Sequence, residues 1–195
     1  MFKAALVLGS LVGASAFAPT ARVTKSSAMN MVFAGGLPGS EGPELKTFDP
    51  LRFAEKSPEW VPWFREAELK HGRICMLAVV GLVVAEFARL PGDVFQSGTV
   101  IEAHDNMVRS GAMIQILGWV SLIEIITARA SFALFDPEND RAPGNWGFDP
   151  LGFGKDPTKF KKYEINELKN GRLAMMAFSG MITEAVATGH GFPYL

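Results

Sequence analysis

The residues best suited to chemistry in this sequence form one short block that occurs twice. Glu68-Leu69-Lys70-His71-Gly72-Arg73 is matched by Glu167-Leu168-Lys169-Asn170-Gly171-Arg172. The offset is 99 throughout (Glu167 against Glu68), and only His71, which becomes Asn170, differs. Each block opens an apolar run, from Ile74 to Ala85 and from Leu173 to Ile182. A charge near a bilayer centre costs about 2.5–3.5 kcal/mol on insertion scales. Such groups persist when they are paired or bind a metal. If the two copies cross about a pseudo-two-fold axis, Glu68 meets Arg172 and Glu167 meets Arg73, and exchanging the copies exchanges the pairs. Gly72 and Gly171 sit between acid and base and permit close backbone approach. Ala78, Gly81 and Ala85, and Ala174, Ala177 and Gly180, continue inward with the small residues that membrane helix packing favours.

Pairing leaves part of each carboxylate free. Glu68 and His71 are neighbours on one helix face. A neutralised Glu oxygen, an imidazole nitrogen and an amide oxygen are all metal donors, and oxygen suits hard ions such as magnesium. One donor is too few for a free ion. It is enough for magnesium whose other positions are filled by a macrocycle, as in chlorophyll. For one Glu–Arg pair alone, a helix-locking ion pair is the simpler account. Yet His71 and Asn170 add no charge, and Gln115, Glu124 and Glu184 have no basic partner evident in the sequence. Glu68-x-x-His71 is also half of a di-iron motif, but the second copy has Asn170 in place of the required His. There is no nucleophile–base arrangement or phosphate loop, and the chain has three histidines. The chain therefore does not read as an enzyme.

Three apolar helices must position these groups. The spacing predicts them at about 63–89, 110–128 and 163–188, the first offering the roughly 20 residues a bilayer requires. Trp60 and Trp63 suit a membrane interface. Gln115 and Glu124 fall on the second helix, Glu184 on the third. The connector 90–109 carries Asp93, Glu102, His104 and Asp105 and includes an amphipathic turn near Val100 to Asp105. The connector 129–162 is punctuated by Asp136-Pro137, Ala142-Pro143-Gly144-Asn145 and Asp156-Pro157. Phe48-Asp49-Pro50-Leu51 recurs as Phe148-Asp149-Pro150-Leu151, extending the repeat outward. Lys and Arg concentrate before the first helix and in the second connector, placing those two segments on one side of the membrane. The fold expected is an all-α membrane protein with three transmembrane helices, the first and third crossed. The length of 195 residues fits one domain, 48% apolar content allows a membrane protein, and a net charge of −1 argues against nucleic acid. Cys75, the only cysteine, lies in an apolar run and reads as a packed hydrophobe.

Residues 1–16 have a basic start, an apolar core and the small-residue site Ala14-Ser15-Ala16, and read as a signal peptide. Residues 17–30 are basic, hydroxyl-rich and free of acids, the composition of a transit peptide. That leaves 31–195 as the folded domain. Ala14-Ser15-Ala16-Phe17-Ala18-Pro19 resembles the bipartite presequence of proteins sent to secondary plastids.

Glu68-x-x-His71-x-Arg73 and Glu167-x-x-Asn170-Gly171-Arg172-Leu173-Ala174-Met175, on the first and third spans, resemble the chlorophyll-binding light-harvesting antenna proteins. The resemblance covers about residues 45 to 190. With the presequence it is similar to the red-lineage branch, the fucoxanthin chlorophyll a/c-binding proteins. Gly147-Phe148-Asp149-Pro150-Leu151-Gly152-Phe153 and Gly191-Phe192-Pro193-Tyr194-Leu195 look like the subgroup associated with photosystem I. The resemblance implies that Glu68, His71, Glu167 and Asn170 each ligate a chlorophyll magnesium, with Arg172 and Arg73 neutralising the two Glu. It implies further ligands at Glu124 and Gln115, and at Glu184, where relatives carry Gln or His. A lone carboxylate there must be protonated or find a partner. The Phe-Asp-Pro-Leu segments would hold carotenoid end groups. The implied cofactors are chlorophyll a, chlorophyll c and fucoxanthin or another xanthophyll. The implied partners are thylakoid lipids, other antenna subunits and a photosystem core, photosystem I in particular. The implied place is the plastid thylakoid, N-terminus stromal and C-terminus lumenal. A photoprotective, energy-dissipating relative of the same fold is one alternative, with Asp93, Glu102, His104 and Asp105 as acid sensors. A pigment-free membrane scaffold is another.

Overall fold

The computed structural model describes residues 33–39, 48–136, 138–139 and 141–193. The signal and transit segments at 1–16 and 17–30 lie outside the described residues. The described chain is helical, with no strand among the described residues. Four helices carry the architecture: α1 (Val61–Phe87), α2 (Val100–Arg109), α3 (Ala112–Phe132) and α4 (Pro157–Thr188).

Local chemistry sets their ends. Pro62 lies in the first turn of α1, where its missing N–H costs nothing. The amphipathic α2 runs four residues beyond the turn expected. Thr99 caps it by accepting from the Glu102 N–H at 3.2 Å, and Glu102 reaches back to the Gly98 N–H at 2.8 Å. Gly111, at φ +78°, turns the chain into α3. That helix continues to Phe132 rather than about 128, followed by a 3-10 turn at Ala133–Phe135. The largest departure is at α4, which begins at Pro157 instead of about 163. Asp156-Pro157 reads as loop punctuation in the sequence. In the fold Asp156 is an N-cap accepting from the Thr158 N–H at 3.0 Å, with Pro157 at the first helical position. Gly189, at φ +69°, closes α4.

Helices α1 and α4 touch backbone to backbone. A Cβ added at Gly72 would stand 3.0 Å from the Gly171 Cα, and one at Gly171 would stand 3.1 Å from the Gly72 Cα. Helix α3 joins α1 through stacked rings: Trp63 lies 5.6 Å from Phe132 and 5.4 Å from Phe135. Among the described residues one helical stretch, Ala112–Phe135, is long and apolar enough to cross a membrane by length and composition.

The two Phe-Asp-Pro-Leu segments fold alike. Asp49 accepts from the Phe53 and Ala54 N–H groups at 3.0 and 2.8 Å. Asp149 accepts from those of Phe153 and Gly154 at 3.0 and 2.7 Å. Each turn then needs a left-handed residue, Arg52 at φ 55° and Gly152 at φ 69°. The motif is thus a carboxylate-closed turn with outward-pointing apolar side chains: Phe48 is 71% exposed and Phe148 86%.

Two outcomes follow. Gly72→Ala should destabilise by about 1–3 kcal/mol through overpacking. Gly81→Ala, where an added Cβ meets nothing within 4 Å, should be neutral or stabilising; thermal melts of helicity would separate them. Donation from the Gly154 N–H, with further backbone donors, holds the Asp149 carboxyl below its ordinary value. A depressed folded value means that its contribution is complete above the unfolded pKa of about 3.9. The contribution is lost as pH falls from there through the folded value. Asp149→Asn should flatten the acid limb of a pH–stability curve.

Candidate functional site

The acid and base of each repeat meet across the α1–α4 contact in the reciprocal pattern. Arg172 Nε lies 2.7 Å from Glu68 Oε1, and Arg73 Nε lies 2.7 Å from Glu167 Oε1. Each guanidinium then donates to a loop carbonyl: Arg73 Nη2 to Gly144 O at 3.0 Å, Arg172 Nη1 to Gly39 O at 3.5 Å. Gly39 and Gly144 both follow a proline and both have positive φ, +84° and +80°. A side chain on Gly39 would strike Leu168, and one on Gly144 would strike Leu69, which is Leu168's mate in the repeat. The repeat therefore reaches outward to Pro38-Gly39 and Pro143-Gly144. The sequence hides this extension because five more residues separate the Pro-Gly from Phe-Asp-Pro-Leu in the first copy. The duplicated dipeptide itself is the signal that could have found it.

Around this symmetric centre the two halves differ. Arg65 Nε stands 3.3 Å from Glu68 Oε2, and Arg65 Nη1 donates to Pro38 O at 2.6 Å. The mate of Arg65 in the second copy is Glu164. Glu68 thus faces two cations, while Glu167 faces one cation and has an acid three residues away. Glu66 is 3% exposed. It accepts from the Gly144 N–H and from Arg141 Nη1, the latter at 3.4 Å. Its mate is Ile165. Arg141 also donates to Ala130 O at 3.0 Å and lies 4.8 Å from the Trp146 ring centroid. Glu66, Arg65 and Arg141 clamp the loops that clamp the arginines. None is a candidate from sequence, because each lies outside the matching hexapeptides.

The two unlike residues of the repeat are held alike. His71 Nδ1 lies 2.7 Å from Ala67 O. A carbonyl only accepts, so Nδ1 carries the hydrogen and Nε2 keeps a lone pair. Asn170 Nδ2 donates to Asn166 O at 2.9 Å, which leaves the amide oxygen free. Ala67 and Asn166 are again repeat mates. Both donors are exposed, and each helix continues with outward apolar residues one and two turns on. Ile74 and Leu77 are 63% and 76% exposed, and their mates Leu173 and Met176 are 68% and 76%. In contrast, the buried hydrophobic residues among those described are Leu168, Ala174 and Ala185. A cleft of about 1070 Å³ also opens beside the crossing, lined by Leu37, Leu69, Trp146, Phe148, Tyr163 and Leu168 among others.

The remaining sequence candidates are spread apart. Gln115 on α3 and Glu184 on α4 are exposed, with no side-chain hydrogen bond among the described residues. Glu124 requires a correction: Lys70 Nζ stands 2.6 Å from its Oε2. The partner is invisible in sequence because it comes from another helix 54 positions away. Among the described residues no group of three or more His, Cys, Asp or Glu could hold a bare metal ion. The donors are single and separate.

Comparison with known proteins matches this arrangement to a family. Residues 33–186 match the chlorophyll a-b binding protein family. The chain belongs to that family. The chain is 37% identical to a chloroplastic fucoxanthin-chlorophyll a-c binding protein of Chattonella marina var. antiqua, over 98% of this chain and 91% of that one. It is 36% identical to fucoxanthin-chlorophyll a-c binding protein F of Phaeodactylum tricornutum, over 92% and 93%. It is also 36% identical to chlorophyll a-b binding protein 1B-21 of Hordeum vulgare, over 78% of this chain and 62% of that one. Membership in a pigment-binding family accords with single donors flanked by exposed apolar residues.

The two halves should respond unequally to loss of an arginine. Arg172→Leu leaves Glu68 beside Arg65, whereas Arg73→Leu leaves Glu167 unpaired and near Glu164. Arg73→Leu should lower the melting temperature more than Arg172→Leu, as read by thermal loss of helicity in detergent.

Proposed function

We propose that this chain is a light-harvesting antenna protein of the thylakoid membrane. One repeated unit carries the reading: a donor whose other polar atom is tied to the carbonyl four residues back, followed by exposed apolar residues on the same face. That unit fits a flat, apolar macrocycle with one open axial position on its magnesium. His71 and Asn170 would each hold one such group. Glu167 would hold another through Oε2, its charge offset by Arg73. Glu68 has Arg172 at Oε1 and Arg65 at Oε2, and would hold its group through a remaining lone pair of Oε2. Gln115, Glu124 and Glu184 complete the donor set. The outward Phe48 and Phe148 and the cleft beside the crossing suit the ends of long apolar polyenes.

Bound chlorophyll a, chlorophyll c and fucoxanthin supply light absorption and excitation transfer. The residues supply fixed position: donors on rigid helices set the spacing and orientation of what they hold. The family is pigment-binding, and this reading involves no chemical turnover. We take α1, α3 and α4 as three membrane spans, with α1 and α4 crossed at Gly72 and Gly171. The exposed apolar surface favours this, as does the pairing of Glu68 and Glu167 with arginines from across the contact. The basic segments put the N-terminus on the stromal side and the C-terminus in the lumen. Lipids, other antenna subunits and a photosystem core, photosystem I in particular, are the expected partners. The acids of the first connector support local structure, since Glu102 completes the cap of α2 and Asp105 lies 3.3 Å from His104.

The protein refolded with chlorophylls a and c and fucoxanthin should bind them and show chlorophyll emission on carotenoid excitation. Failure to bind chlorophyll would favour a pigment-free scaffold. His71→Leu and Asn170→Leu should each lose one chlorophyll per chain, measured by pigment extraction, with helicity retained. Unchanged stoichiometry in both variants would sink the donor assignment.

A further inference from the structure

The pair Lys70–Glu124 has no counterpart in the repeat and is not needed to hold the crossing together. The mate of Lys70 is Lys169, an exposed residue with no ion-pair partner among the described residues. Lys70 instead leaves the α1–α4 contact and reaches α3, where its Nζ meets Glu124 Oε2 at 2.6 Å. The same ammonium lies 5.8 Å from the Trp146 ring centroid. One side chain thus links α1, α3 and the loop that carries Gly144.

The surroundings of Glu124 repeat those of the other donors. Its helix face continues one and two turns back through Val120 and Leu117, which are 50% and 56% exposed. Lys70 engages one carboxylate oxygen and leaves Oε1. A single contact is enough to offset the acid, as Arg73 Nε does at Glu167 Oε1, and the second oxygen stays open. The arrangement reproduces, with a lysine from α1, what Arg73 does for Glu167.

We propose that Lys70 is the neutralising cation of a third Glu-centred pigment site. It holds Glu124 on α3 so that Oε1 serves as axial ligand to a chlorophyll magnesium. The site rests on the antenna reading above and adds a positioning residue to it. A second consequence is geometric. The other ties between α1 and α3 described above gather at one end, at Trp63, Phe132 and Phe135. Lys70 supplies the tie nearer the middle of α3 and sets its rotation about its own axis.

The test uses the full chain refolded with chlorophylls a and c and fucoxanthin. Lys70→Met, Lys70→Arg, Lys169→Met, Glu124→Leu and the double variant Lys70→Met/Glu124→Leu are compared with the parent. Lys70→Met and Glu124→Leu should each lose one chlorophyll per chain, with superimposable difference spectra. The double variant should lose that same chlorophyll and no other. Lys70→Arg should restore the parent count, and Lys169→Met should leave it unchanged. A full count in Lys70→Met while Glu124→Leu loses one would overturn the role of Lys70 and leave the antenna reading intact. Loss of several chlorophylls in Lys70→Met without rescue by Lys70→Arg would make Lys70 a general structural tie and also overturn the proposal. A full count in Glu124→Leu would remove the site. A parent chain that binds no chlorophyll would defeat the antenna reading itself, and is told apart from the other outcomes by the parent sample alone.

Discussion

Everything in this structure depends on two carboxylates being neutralised from across a helix contact. Glu68 and Glu167 each open the apolar run of their helix, and each is met at 2.7 Å by the arginine of the other copy. The contact is possible because Gly72 and Gly171 lack side chains at the one place where two backbones touch. Acid, glycine and base therefore form a single device: remove the space and the charges no longer reach; remove a charge and the space has no purpose. The Pro-Gly loops complete it by giving each guanidinium a carbonyl for the nitrogens its carboxylate leaves unused.

The symmetry is confined to the centre. Beyond it, Arg65 stands where the second copy has Glu164, and Glu66 where the second copy has Ile165. These substitutions fasten the two halves differently, one loop through Arg65 and the other through Glu66 and Arg141. Glu68 and Glu167 keep the same partner geometry but sit in different local fields. Two carboxylates that look equivalent in sequence are thus electrostatically distinct.

Much of the centre is legible in the amino-acid sequence. The offset of 99 places both hexapeptides, and pairing them by symmetry needs only the cost of an unpaired charge in an apolar helix. The turn chemistry is partly hidden. Asp156-Pro157 carries the same letters whether it ends a loop or begins a helix, and only the accepted Thr158 N–H decides. The partner of Glu124 cannot be read at all, because no repeat or spacing relates Lys70 to α3. Glu66 is hidden for a related reason: an acid beside Glu68 looks like part of a solvated turn until a loop from far along the chain closes over it. What sequence conveys well here is relations within a repeat; relations between unlike elements emerge only once they pack.

The chain separation of the two central pairs has a consequence for assembly. Arg73 and Glu167 are 94 positions apart, and Glu68 and Arg172 are 104 apart. A nascent or clipped chain that ends before α4 leaves Arg73 without its carboxylate and Glu68 with Arg65 alone. Helix α4 brings the missing partner of each charge in one event. The crossing thus acts as a checkpoint, in which a chain lacking α4 is penalised at α1.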